Sequence, residues 1–185
     1  MPSATRLYTV DDVRAMPDDG SRYETIAGEL FVTPAPGRSH QAVIGELYLV
    51  LAQYVKRHGL GRVWLAPFDV VFGPMTLVEP DLFFVRASRA AIVTEREVTA
   101  APDLAIEVVS PTTGRTDRGR KRALYQDQGV TEYWVVDPRL RRIELWRPGA
   151  VAAEVVSDVL RWQPEPAVEP LHLDVAELFR ESERA

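Results

Sequence analysis

The apolar positions of this chain alternate between two periods, and the alternation sets out its elements. Val43, Ile44, Leu47, Val50, Leu51 and Tyr54 recur at helical spacing. They predict the longest helix over roughly His40 to His58, capped by Ser39 and stopped by Gly59 and Gly61. Tyr23 to Ile26 and Glu29 to Thr33 flank Ala27-Gly28 and read as a hairpin. Pro34-Ala35-Pro36-Gly37 breaks the chain after it. Short strands follow at Arg62 to Ala66, Phe68 to Phe72 and Thr76 to Val85. Arg86 to Thr99 reads as a loop with a helical turn. Near the N-terminus, Thr9 caps a short helix that ends before Pro17, with Asp11 and Asp12 in its first turn.

Asp103 to Val109 and Thr131 to Asp137 are near-continuous apolar runs, the pattern of strands buried on both faces. Between them, Thr116 to Gln128 reads as a helix stopped by Gly129. Strand, helix, strand predicts a right-handed βαβ unit with parallel strands. Arg141 to Trp146 and Val151 to Val156 read as an antiparallel ending. Pro164 to Pro170 lies against the surface, and a last helix from Asp174 buries Val175, Leu178 and Phe179. Trp146 and Trp162 either finish the core or supply an interface. No repeat interrupts this order, and residues 1–185 read as one domain.

Polar residues inside this apolar frame carry the chemistry. Asp81 follows Pro80 at the opening of Leu82-Phe83-Phe84-Val85. Glu107 sits within Leu104-Ala105-Ile106-Glu107-Val108-Val109, where a buried strand leaves it among apolar neighbours. An unpaired carboxylate there costs several kcal/mol or protonates. A bound metal resolves that cost, and so does an ion pair with Lys121 or an arginine. Lys121 has Asp117 four residues before it and Tyr125 four after, all on one helix face, where the plain alternative is a surface Asp–Lys pair. His40 opens the long helix in line with Val43, Ile44 and Leu47, and so faces the sheet. It reads either as a contact to phosphate or metal-bound water or as a satisfied helix-start histidine. Arg115, Arg118 and Arg122 make the helix after Glu107 basic, which suits a phosphate backbone or a solvated face. Two carboxylates that a fold can bring together plus one lysine are the minimum for divalent-metal phosphodiester hydrolysis with Mg²⁺ or Mn²⁺.

Charge and composition narrow the setting. The balance is 22 basic against 27 acidic residues, a net charge of −5, which disfavours a non-specific nucleic-acid coat. It leaves room for a metallonuclease, whose carboxylates count against it. With no cysteine there is neither disulfide nor thiolate metal site, which fits a cytoplasmic protein. No apolar run reaches membrane length, and Met1 to Leu7 holds no apolar signal core. Phosphate-binding Gly-rich loops, Gly-x-Ser-x-Gly elbows and paired-histidine zinc spacings are absent from the sequence.

Together these motifs resemble the Uma family of endonucleases within the PD-(D/E)XK restriction-endonuclease-like superfamily, from about Tyr23 to Trp146. The likeness rests on Tyr23-Glu24, Gly28-Glu29-Leu30, Ser39-His40-Gln41 and Glu79-Pro80-Asp81-Leu82. It continues through Ala101-Pro102-Asp103 to Ser110-Pro111, then Asp117, Lys121, Tyr125 and Gly129 to Pro138. The resemblance implies an α/β fold: a mixed core sheet of four strands flanked by helices, with additional antiparallel strands. It also implies metal binding by Asp81 and Glu107 with the carbonyl of Val108, and DNA as partner. Val109 stands where the superfamily carries a lysine, and Lys121 on the following helix takes that place. Ala27 stands where the family usually has an aspartate. Double-strand cutting by a one-site chain requires two copies, hence an expected homodimer. The competing reading is a non-catalytic nucleic-acid- or protein-binding module on a degraded nuclease fold.

Overall fold

The computed structural model describes residues 6–110 and 113–184. Pro111, which closes the second acidic motif, lies outside them, as do most of the N-terminal residues read for a signal core. Thr9 caps helix α1 (Val10–Arg14) through a capping box with Asp12, as its sequence predicts. Strands β1 (Arg22–Ile26) and β2 (Glu29–Thr33) form the expected hairpin. Its turn places Ala27 and Gly28 at φ +50° and +83°, the doubly left-handed pair that a tight two-residue hairpin turn needs. A Cβ on Gly28 would lie 2.7 Å from the Met75 side chain, so glycine also serves a close approach there.

Helix α2 (Arg38–Arg57) starts earlier than its apolar period indicates. Gly37 is its N-cap, without a side-chain bond, and Ser39 lies inside the first turn. Strands β3 (Gly61–Leu65), β4 (Asp69–Val71), β5 (Leu77–Val78) and β6 (Leu82–Arg86) follow. The single strand expected over Thr76 to Val85 is in fact two strands in different sheets. Pro80 donates no ladder bond, so Glu79-Pro80-Asp81 becomes the crossover between them. A 3-10 turn (Ala87–Ile92) and β7 (Glu97–Val98) occupy the ambiguous stretch.

Beyond β8 (Leu104–Val108) the expected helix is composite. It comprises α3 (Gly114–Thr116), a π-helical turn (Asp117–Lys121) and α4 (Arg122–Asp127). It delivers the chain to β9 (Glu132–Asp137), which pairs parallel to β8 as the βαβ reading requires. Strands β10 (Arg142–Trp146) and β11 (Glu154–Val156) complete a six-stranded mixed sheet in the order β11-β10-β9-β8-β6-β3. A second, five-stranded sheet runs β2-β1-β5-β4-β7. The hairpin β12 (Val159–Trp162) and β13 (Leu171–Asp174) was not legible in the sequence. It precedes α5 (Val175–Arg184), whose first turn is capped by Asp174.

Side-chain alternation divides the six-stranded sheet between two cores. Leu82, Phe84, Leu104, Ile106 and Trp134 face α2, α5 and the β12–β13 hairpin. Phe83, Val85, Ala105, Tyr133 and Val135 face the second sheet and α4. That is why these strands read as continuous apolar runs. Trp162 is buried in the helix-side core, so it is no interface residue. Among the described residues no helix is long and apolar enough to cross a membrane.

Candidate functional site

Glu107 belongs to the face of β8 that meets α4 and the second sheet, by its alternation with Ala105. Asp81 emerges just before β6, the neighbour of β8. The two sheet ends therefore bring the predicted carboxylates to one cleft of about 290 Å³, which His40, Val108, Asp117 and Lys121 also line. Asp81, Glu107 and Lys121 are each 3% exposed or less.

Every oxygen of Asp81 has a donor. The Val108 N–H donates to Oδ2 at 2.8 Å, and His40 Nε2 lies 3.2 Å from the same oxygen. Arg22 Nη1 donates to Oδ1 at 3.0 Å. Burial pushes the Asp81 carboxyl up, but the His40 bond and the Arg22 charge outweigh it and hold the group below its ordinary value. In an extended strand the carbonyl of a residue projects from the same edge as its N–H. The Val108 carbonyl thus lies on the Asp81 side of β8, as the resemblance requires of a ligand.

Glu107 Oε1 accepts from Lys121 Nζ at 2.9 Å and from the Tyr125 hydroxyl at 3.0 Å. Burial drives its carboxyl well above the ordinary value. Lys121 opposes this, and Asp81, Asp117 and Glu24 reinforce it. The Tyr125 hydroxyl is pushed up in turn by burial and by Glu107. Lys121 is thus no surface partner of Asp117. The π turn, closed by the Arg122 N–H on the Asp117 carbonyl, sends Asp117, Lys121 and Tyr125 inward together. Tyr133 adds a bond from its hydroxyl to that carbonyl at 3.1 Å. Single π turns within α-helices recur at functional sites.

Sequence reasoning gives three residues of this site no role: Arg22 is absent from it, and Glu24 and Glu79 enter only as members of matched motifs. Glu24, on β1, accepts from Lys121 Nζ at 2.8 Å and from the Glu79 N–H at 2.7 Å. Arg22, two residues earlier on the same face, holds Asp81. Glu79 lies 3.9 Å from Arg22, and burial lifts its carboxyl to about 7 against the Arg22 charge. Apart from those motifs, Arg22 and Glu24 show only opposite charges two apart in a strand, which is also how a solvated hairpin reads.

The basic helix distributes its arginines differently from a phosphate-facing row. Arg118 donates from Nε to both oxygens of Glu144 at 3.0 Å and from Nη2 to Asp137 at 2.6 Å. Arg122 bonds the Arg118 carbonyl and Gln126 and lies over the Trp146 ring. Neither lines the cleft. Both fasten the helix to β9 and β10, while Arg115 presents an exposed side chain.

Cleft chemistry fits a hard divalent cation. Glu24, Asp81, Glu107 and Asp117 line the cleft with Arg22 and Lys121, so acidic side chains outnumber basic ones by two, beside His40. Burial lifts Asp117 to about 6 even with Lys121 opposing. No three His, Asp or Glu side chains among the described residues form a closed cage. Two carboxylates and a carbonyl, the donors that the resemblance implies, would suit Mg²⁺, an ion that keeps several waters.

A family model described as "Uma2: Putative restriction endonuclease" matches residues 10–176. The crystal structure of a protein from Anabaena variabilis ATCC 29413, titled as a putative nuclease belonging to DUF820, superposes with a TM-score of 0.77. The two chains are 25% identical, and the match covers 95% of this chain and 99% of that one. No curated protein sequence matches.

Proposed function

The chain belongs to the Uma2 family of putative restriction endonucleases, and from that premise we propose that it is a divalent-metal-dependent endonuclease that hydrolyses DNA phosphodiester bonds. The observation that carries this reading is the convergence of Asp81, Glu107 and Lys121 on one cleft in which acidic side chains outnumber basic ones. Asp81, Glu107 and the Val108 carbonyl would hold Mg²⁺ or Mn²⁺. When bound, the metal supplies an acidified water and stabilises charge on the scissile phosphate.

The remaining work falls to the chain's own groups. Tyr125 and Lys121 fix the Glu107 carboxylate from one side, and His40 and the Val108 N–H fix Asp81. The Lys121 ammonium brings a fixed cation to the charge that develops on phosphate during hydrolysis. Arg115 meets the DNA backbone outside the cleft. Two copies related by a two-fold axis would place one such cleft on each DNA strand.

The test is cleavage of supercoiled plasmid with Mn²⁺ or Mg²⁺ by wild type and by folded Asp81→Ala and Lys121→Ala variants. The reading expects metal-dependent nicking in wild type alone. Wild-type protein that neither cuts nor binds Mn²⁺ would sink it in favour of a binding module.

A further inference from the structure

Both expected metal carboxylates are held by the chain's own cations. Lys121 sits on Glu107, and the Arg22 guanidinium occupies Asp81 Oδ1 at 3.0 Å. The two positions differ in kind. Lys121 is buried between Glu107 and Glu24 and has a carboxylate to keep if Glu107 is taken. Among the described residues, Asp81 is the one carboxylate at hydrogen-bond distance from Arg22. Its other contacts are the Glu79 carbonyl at 3.0 Å and the Glu79 carboxyl at 3.9 Å. Its side chain lines the cleft and is 18% exposed.

The other oxygen, Oδ2, already carries the Val108 N–H and His40 Nε2, neither of them a fixed cation. Oδ1 is therefore the oxygen whose present partner a divalent ion would repel most strongly. A displaced guanidinium in this cleft finds the phosphate of a bound strand, whose oxygens match its planar fork. Resting on the nuclease reading above, we propose that Arg22 is a placeholder cation: it competes with the metal for Asp81, and once released it grips the substrate phosphate.

The test compares Mn²⁺ binding by calorimetry in wild type, Arg22→Gln and Arg120→Gln. Arg120 is exposed and pairs with Glu29 on the surface, so its variant removes the same charge away from Asp81. The expected result is binding about tenfold tighter in Arg22→Gln and unchanged in Arg120→Gln. At saturating Mn²⁺, Arg22→Gln should nonetheless cut plasmid about tenfold more slowly. Equal affinity in Arg22→Gln and wild type overturns the competition. Tighter binding with undiminished cutting overturns the phosphate role. Wild type that binds no Mn²⁺ fails the metal reading itself, a separable outcome. Should Arg22→Gln not fold, the guanidinium NMR signal of Arg22 in wild type decides the competition. It should shift when Mg²⁺ is added, and a signal that stays put overturns the proposal.

Discussion

Lys121 and Glu107 stand fourteen positions apart in the chain and 2.9 Å apart in space, both enclosed by protein. Burial alone would discharge the lysine, yet Glu107, Glu24 and Asp117 hold its pKa above the ordinary value. Removing the ammonium leaves buried carboxylates without a counter-charge. Lys121→Met should therefore lose about 3–5 kcal/mol at neutral pH. The loss should shrink toward pH 5, because Glu107 and Asp117 are acids with raised folded-state pKa values, which favour the fold when protonated. Urea unfolding at pH 5 and pH 7.5 checks this, and an equal deficit at both would refute it.

Wild-type stability should carry the same signature. Asp117 titrates at about 6 and Glu79 at about 7 in the folded chain, above their unfolded values. The native state then binds more protons than the unfolded one, so stability declines as pH rises from about 4 through 7. Asp81, held low, acts in the opposite sense and loses its contribution only in acid. A divalent cation in the cleft should offset the decline. Calorimetry with and without Mn²⁺ should show a larger rise in Tm at pH 8 than at pH 5.5, and a pH-independent rise would contradict the account.

Arg118 and Arg115 should separate cleanly. Arg118→Ala takes from Asp137, largely buried, its guanidinium and leaves Glu144 with Arg142 alone at 2.8 Å. A loss of about 3 kcal/mol is expected. Arg115→Ala should change stability by less than about 0.5 kcal/mol. It should lower the salt slope of DNA binding by about one. Denaturation and salt-dependent anisotropy on both variants test the pair. A stable Arg118→Ala would show that the clamp is dispensable.

Ala27 is the strained member of the β1–β2 turn, a Cβ-bearing residue at φ +50°. Its N–H donates to Thr76 Oγ1 at 3.0 Å, a bond any non-proline residue can keep. Ala27→Gly should stabilise the protein by about 0.5–1 kcal/mol, and Ala27→Val should destabilise it. Thermal melts of both variants suffice, and a destabilised glycine variant would point to a packing role for the methyl group.

Glu107 was legible because a carboxylate inside an apolar strand violates the pattern around it and demands a partner. Lys121 and Tyr125 followed from helical spacing, though spacing alone gave no hint of the π turn. The roles of Glu24 and Arg22 were not legible, for the opposite reason. On a hairpin, alternate charged positions usually mark the wet face, and only the docking of one sheet over the other makes that face dry. Trp162 stayed open between core and interface on similar grounds, since the β12–β13 hairpin that carries it has too short a pattern to announce itself. The break at Pro80 was visible in the sequence, but its consequence, a strand split between two sheets, depends on pairing partners far along the chain.

Lys121 is gripped by one carboxylate from each sheet, Glu24 from the five-stranded and Glu107 from the six-stranded. No contiguous stretch of chain contains the centre, and neither sheet carries it by itself. A nascent or partly melted molecule therefore holds only scattered charges, and the cleft exists only where the two sheets are docked.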